Sequence, residues 1–125
     1  MKPHEEWLEK AHHDLLSAIA LADSQHHLYD TAVYHTQQAA EKALKAFLVF
    51  NNQEVPHTHN VRVLLTRCCV FNASLNELAH QVILVAPYDT LYRYPGEILN
   101  PTEEQTANAI LSAQIIIKTI TPLLS

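Results

Sequence analysis

Three groups of residues have the types and spacing for chemistry. Tyr34, His35, Gln38, Glu41, Lys42 and Lys45 recur at three- and four-residue intervals, which gathers them on roughly a third of a helix's circumference. Two lysines and a histidine on one stripe can hold a phosphate or a nucleotide. The same stripe can also be a solvated face on which Glu41 and Lys45 form an i,i+4 pair that contributes only about 0.2–0.5 kcal/mol. His57 and His59 stand one residue apart and could serve as ligands or as an acid and a base, since imidazole titrates near neutral pH. A metal site would need further ligands, and no second motif supplies them; alternatively His59 caps the helix that follows or bonds a buried backbone group. Arg93 lies among Tyr88, Tyr92 and Tyr94 in a segment bounded by prolines. That composition can stack a base while the guanidinium meets a phosphate, or the tyrosines can pack the loop while Arg93 pairs with an acid such as Glu41. Arg93, Lys42, Lys45, His35, Tyr94 and Tyr92 are thus the phosphate- or nucleotide-binding candidates, and His59 and Arg93 the candidates for catalysis.

Helices must position these groups. From Glu5 to about Asp23, Trp7, Leu8, Ala11, Leu15, Ala18, Ile19 and Ala22 share one side of a 3.6-residue wheel. A second helix from about Asp30 to Phe50, with Asp30 or Thr31 available as its cap, carries alanines over much of its surface, so neighbouring helices can approach closely and it belongs at the centre of a bundle. Pro56 interrupts the pattern in Asn51 to Thr58. A short helix from about Asn60 to Cys69 follows. A fourth runs from about Ser74 to Val85, with Leu75, Leu78, Ala79, Val82 and Ile83 inward and Ser74 to Glu77 as a capping box. Ala86 to Pro101 reads as a long connection, and Thr102 opens a last helix to about Ile120. That helix is apolar on so many sides that it is expected to face a second copy of the chain in part.

Composition narrows the function classes. The chain has 125 residues, 48% of them hydrophobic and 17% charged, a globular balance that predicts one all-α domain over residues 1–125. One glycine, Gly96, is too few for a β-rich fold of many tight turns. A formal net charge of −5 with eight Lys and Arg excludes a broad basic surface for phosphate backbones, so any nucleic-acid contact must be local. Nine histidines weaken that argument below neutral pH. Cys68 and Cys69 are adjacent, which suits two reduced thiols, one buried and one near the surface. With no run near ~18 apolar residues and an acidic, amphipathic start, the chain is expected in the cytoplasm.

One resemblance runs through nearly the whole chain. It rests on the string from Ala32 to Ala46 (AVYHTQQAAEKALKA), on Pro56–His57–Thr58–His59–Asn60, and on Tyr92–Arg93–Tyr94–Pro95. In this order they resemble the HEPN family, the higher eukaryotes and prokaryotes nucleotide-binding domain. The resemblance implies an up-and-down bundle of four or five helices, often a homodimer. Such domains are often encoded beside a minimal nucleotidyltransferase as the toxin half of a toxin–antitoxin pair, and no cofactor is implied. The family's ribonucleases carry an arginine and then, after four to six residues, a histidine, and the pair meets its symmetry mate across a dimer cleft. Here Arg62 would need histidine at 67 to 69, Arg67 at 72 to 74 and Arg93 at 98 to 100, and none is present. The expectation is therefore a nucleotide- or RNA-binding and dimerisation module working with a nucleotidyltransferase. The alternatives are a metal-independent endoribonuclease using His59 and Arg93, or a non-catalytic scaffold for another protein.

Overall fold

The computed structural model of the chain describes residues 1–90 and 100–125. Pro3 occupies the start of α1 (Pro3–Asp23), where a missing N–H removes no helical hydrogen bond. The helix therefore begins two residues before the expected start at Glu5. α2 spans Tyr29–Phe50. Its expected side-chain cap is absent: Leu28 holds the cap position, and the Asp30 carboxylate accepts from the adjacent Thr31 N–H instead. α3 spans Val61–Phe71, with the Asn60 side chain accepting from the N–H groups of Arg62 and Val63. Asn60, and not His59, is its cap. α5 spans Glu103–Ile120 and opens on a complete capping box between Thr102 and Gln105.

The fourth segment departs from expectation. Asn72 accepts from both the backbone N–H and the hydroxyl of Ser74, so Ser74 is capped and does not itself cap. A 3-10 turn over Ala73–Leu78 then leads into a short α4, Ala79–Val85. Each 3-10 residue advances roughly 120° instead of 100°, which rotates the downstream wheel. Leu75, Leu78 and Val82 are buried as expected, but Val85 is buried too and Ile83 is turned outward. A second short 3-10 turn, Ala86–Tyr88, begins the connection to α5.

α2 contacts α1, α3, α4 and α5 and is the axis of the bundle. Ala32, Ala39, Ala40, Ala43 and Ala46 have no exposed surface, and their small side chains let α1 and α5 lie close. Ala109, Ala113, Ile116, Ile117 and Ile120 bring α5 into the same core. Counted by length and composition alone, Glu103–Leu124 could cross a membrane, a stretch the search for uninterrupted apolar runs overlooks. Its buried isoleucines and alanines belong to the bundle core, as a central helix of this kind requires. No strand occurs among the described residues.

With so little glycine, two other residues take the left-handed backbone positions. His27, between α1 and α2, has φ 49°, and Asn52, just past the end of α2, has φ 62°. Asparagine tolerates that region where a β-carbon usually costs ~1–2 kcal/mol. Asn52→Gly should leave the melting temperature close to wild type, whereas Asn52→Ala should lower stability by ~1 kcal/mol in denaturant titration.

The two thiols differ as expected: Cys68 is buried, Cys69 partly exposed, and both are free. Burial pushes the Cys68 thiol up from 9.0 to about 12, with the neighbouring Cys69 adding to the shift. The folded protein therefore keeps a proton that the unfolded chain loses, so this contribution to stability is complete below pH 9 and fades as pH rises towards 12. Native-state alkylation followed by mass spectrometry should label Cys69 first and leave Cys68 intact until the protein unfolds.

Candidate functional site

The polar arc of α2 lies between α1 on one side and the connection leading to α3 on the other, and a carboxylate organises each side. On the α3 side that carboxylate belongs to Glu41, only 3% exposed. One oxygen accepts from Lys45 Nζ at 3.1 Å and the other meets His59 Nδ1 at 3.0 Å. An ionised carboxylate can only accept, so with Glu41 ionised the proton of a neutral His59 sits on Nδ1. Nε2 is then left as a lone pair on a side chain that is 71% exposed.

The segment carrying His59 is fixed by backbone as well as side chain. The Gln37 carboxamide donates to the His59 carbonyl at 2.9 Å, and Gln38 donates to the Gln37 side-chain oxygen at 2.8 Å. Asn60, next in sequence, is committed to the start of α3. Lys45 is only 5% exposed, and its ammonium lies 5.7 Å from the centre of the Trp7 ring on α1, close enough for a cation–π contact. The i,i+4 pair expected from the sequence exists, but it is a buried pair that also carries a histidine.

On the α1 side, Asp14 bridges two residues of α2. Its oxygens meet His35 Nδ1 at 2.8 Å and Lys42 Nζ at 2.5 Å. Tyr34 stands edge-on to His35, with ring centres 5.5 Å apart. The site thus contains two carboxylates, two ammonium groups and two imidazoles. The lysine charges are met inside the protein by Asp14 and Glu41. Each imidazole is oriented by a carboxylate at Nδ1, an arrangement suited to accepting or donating a proton at Nε2, or to holding an anion once protonated.

Of the other residues singled out from the sequence, His57 is exposed. No group of three His, Cys, Asp or Glu side chains among the described residues could hold a metal. Tyr88 is packed partly against the core, and burial raises its phenol above the ordinary value. Arg93, Tyr92 and Tyr94 lie outside the described residues. Sequence reasoning missed Asp14 and Gln37. Both left a signal: Asp14 shares the buried side of α1 with Ala11 and Ala18, and Gln37 sits among fully buried residues of α2. A polar residue on an apolar stripe needs an internal partner.

Comparison with known proteins follows the same lines. The family model of the HEPN domain matches residues 4–123. The curated protein "Putative toxin MJ1304" of Methanocaldococcus jannaschii is 29% identical over 112 residues, which cover 80% of this chain and 71% of that protein. Among solved structures, the archaeal HEPN homologue ST0689 is 27% identical with a TM-score of 0.72, over 100% of both chains. TT1696 from Thermus thermophilus is 28% identical with a TM-score of 0.73, over 98% of both. With the bundle, its central alanine-rich helix and a family match over nearly all its length, the chain belongs to the HEPN family.

Proposed function

We propose that this chain is the HEPN half of a toxin–antitoxin-type pair. In this reading it works as a homodimer with a minimal nucleotidyltransferase as partner and binds a nucleotide or RNA end on the polar face of α2. The family membership and the likeness to a protein named as a toxin support the pairing. The observation that carries the binding site is the His59–Glu41–Lys45 group, in which a buried carboxylate aims an exposed imidazole outwards. His59 and His35 then meet phosphate oxygens, with Arg93, Tyr92 and Tyr94 supplying further charge and stacking surface. Lys42 and Lys45 contribute from within their pairs with Asp14 and Glu41.

Those pairs decide which substitutions can test the site. Removing Lys45 would leave Glu41 buried without its cation, a change that costs ~3–5 kcal/mol of fold stability and would confuse lost binding with lost structure. His59→Ala and Arg93→Ala avoid this. By calorimetry with ATP and with a short single-stranded RNA, each should weaken binding about tenfold or more, ~1.4 kcal/mol. Affinity that is unchanged in both variants removes this site, and wild-type protein that binds neither probe removes the binding reading.

A second reading is supported by the same geometry: His59, oriented at Nδ1 with Nε2 outward, has the disposition of a general base, and Arg93 could stabilise a pentavalent phosphate. The chain lacks the family's Arg–His spacing, which places this reading second. Cleavage of RNA in the presence of a chelator, lost in His59→Ala, would establish it; intact RNA across a broad panel would dismiss it.

A further inference from the structure

The tether at His59 has a consequence beyond the holding of an anion. A free neutral imidazole shares its proton between two nitrogens, so neither lone pair is permanently presented. In His59 the buried Glu41 carboxylate keeps the proton on Nδ1. The Nε2 lone pair of a ring that is 71% exposed is then always available, which is the condition for a nucleophile. The mount is also fixed. Gln37, with no exposed surface, holds the His59 carbonyl, and Asn60 is committed to the start of α3. His35 has a similar tether to Asp14, but its side chain is only 27% exposed. His57 is exposed and forms no ion pair among the described residues. His59 alone of these three combines an oriented ring with open access.

The surroundings suit a group that brings negative charge. Residues 55–76 contain no Asp or Glu, although the chain has 13. Arg62, in the first turn of α3, and Arg67 are both exposed and make no ion pair among the described residues. His59 directly precedes the cap of α3, where the positive end of the helix dipole favours an anion. Glu41 meets the ring at Nδ1, across from Nε2, so its charge stands on the far side from an incoming phosphoryl group.

We propose that His59 Nε2 is a phosphoryl acceptor, taking a phosphoryl group from an activated small donor of the phosphoramidate class. In the zwitterionic form of such a donor the nitrogen already carries its full set of protons. The Nε2 lone pair forms the new bond to phosphorus, the donor's P–N bond breaks, and its electron pair leaves with ammonia. Nδ1 keeps its proton, the ring gains one positive charge, and the Glu41 carboxylate already faces the place where that charge develops. This goes beyond the binding reading: it uses the same imidazole but rests on the tether to Glu41, and it stands whether or not a nucleotide binds there.

The test treats the full chain with potassium phosphoramidate and follows it by intact mass, peptide mapping and phosphorus–proton correlation spectra. Phosphorus on Nε2 couples to both carbon-bound ring protons, whereas phosphorus on Nδ1 couples to one. Wild type should gain a phosphoryl group at His59 about tenfold faster than at His57, and on Nε2 alone. His57→Ala should react as wild type does, and His59→Ala should lose the fast phase while keeping its circular-dichroism spectrum. Phosphorus on His59 Nδ1, equal rates at His57 and His59, or no adduct at His59 in wild type overturns the proposal. Calorimetry of the same protein with ATP and RNA reads the binding site separately. An adduct without affinity removes the binding reading and keeps the acceptor; affinity without an adduct keeps the binding reading and removes the acceptor.

Discussion

Glu41 has both carboxylate oxygens engaged inside a helical bundle, and the geometry of the candidate site follows from that constraint. Withdrawing a carboxylate from water costs several kcal/mol even after the protein relaxes, and the cost is offset only when a counter-charge and good hydrogen bonds are in place. Lys45 supplies the charge one helical turn away, and His59 supplies the second hydrogen bond. The chain after Pro56 must therefore return to α2 at that point, and Gln37 fixes its carbonyl there. Trp7, on α1, sets its ring against the Lys45 ammonium. One buried acid thus couples α1, α2 and the entry to α3.

The alanines of α2 make this arrangement sterically feasible. With Ala39, Ala40, Ala43 and Ala46 at the contacts, the neighbouring helices come close enough for Asp14 on α1 to reach His35 and Lys42. Larger side chains would hold α1 further off and leave those charges to solvent. The polar arc and the apolar arc of α2 are therefore interdependent: small residues on one bring partners to the other. The result is a polar face on which each lysine is paired with a carboxylate and each of two imidazoles is held at Nδ1.

The bundle was legible in the sequence because helical periodicity, a proline-marked interruption and scarce glycine all indicate the same fold, and the limits of α1, α2 and α5 fall within a few residues of expectation. α4 was misplaced in phase, since Asn72 captures Ser74 locally and starts a 3-10 turn that no periodicity argument anticipates. At the site, the sequence showed that His35, Glu41, Lys42 and Lys45 share a face. It did not show that two carboxylates serve the basic groups there, Asp14 between His35 and Lys42 and Glu41 between Lys45 and His59. Glu41 and Lys45 could be paired from spacing alone, but the Asp14 contacts span 21 and 28 residues and the His59 contact spans 18. Those long-range pairs depend on how closely the helices pack, which residue spacing along one helix does not encode.

The central claim is that Glu41 orients His59. It is tested most directly by a long-range proton–nitrogen correlation spectrum of the imidazoles, recorded where they are neutral, with exposed His57 as internal comparison. The account predicts that His59 carries its proton on Nδ1 and presents a bare Nε2. A spectrum showing His59 with its proton on Nε2, or averaging freely between the two nitrogens as an unattached ring would, contradicts it.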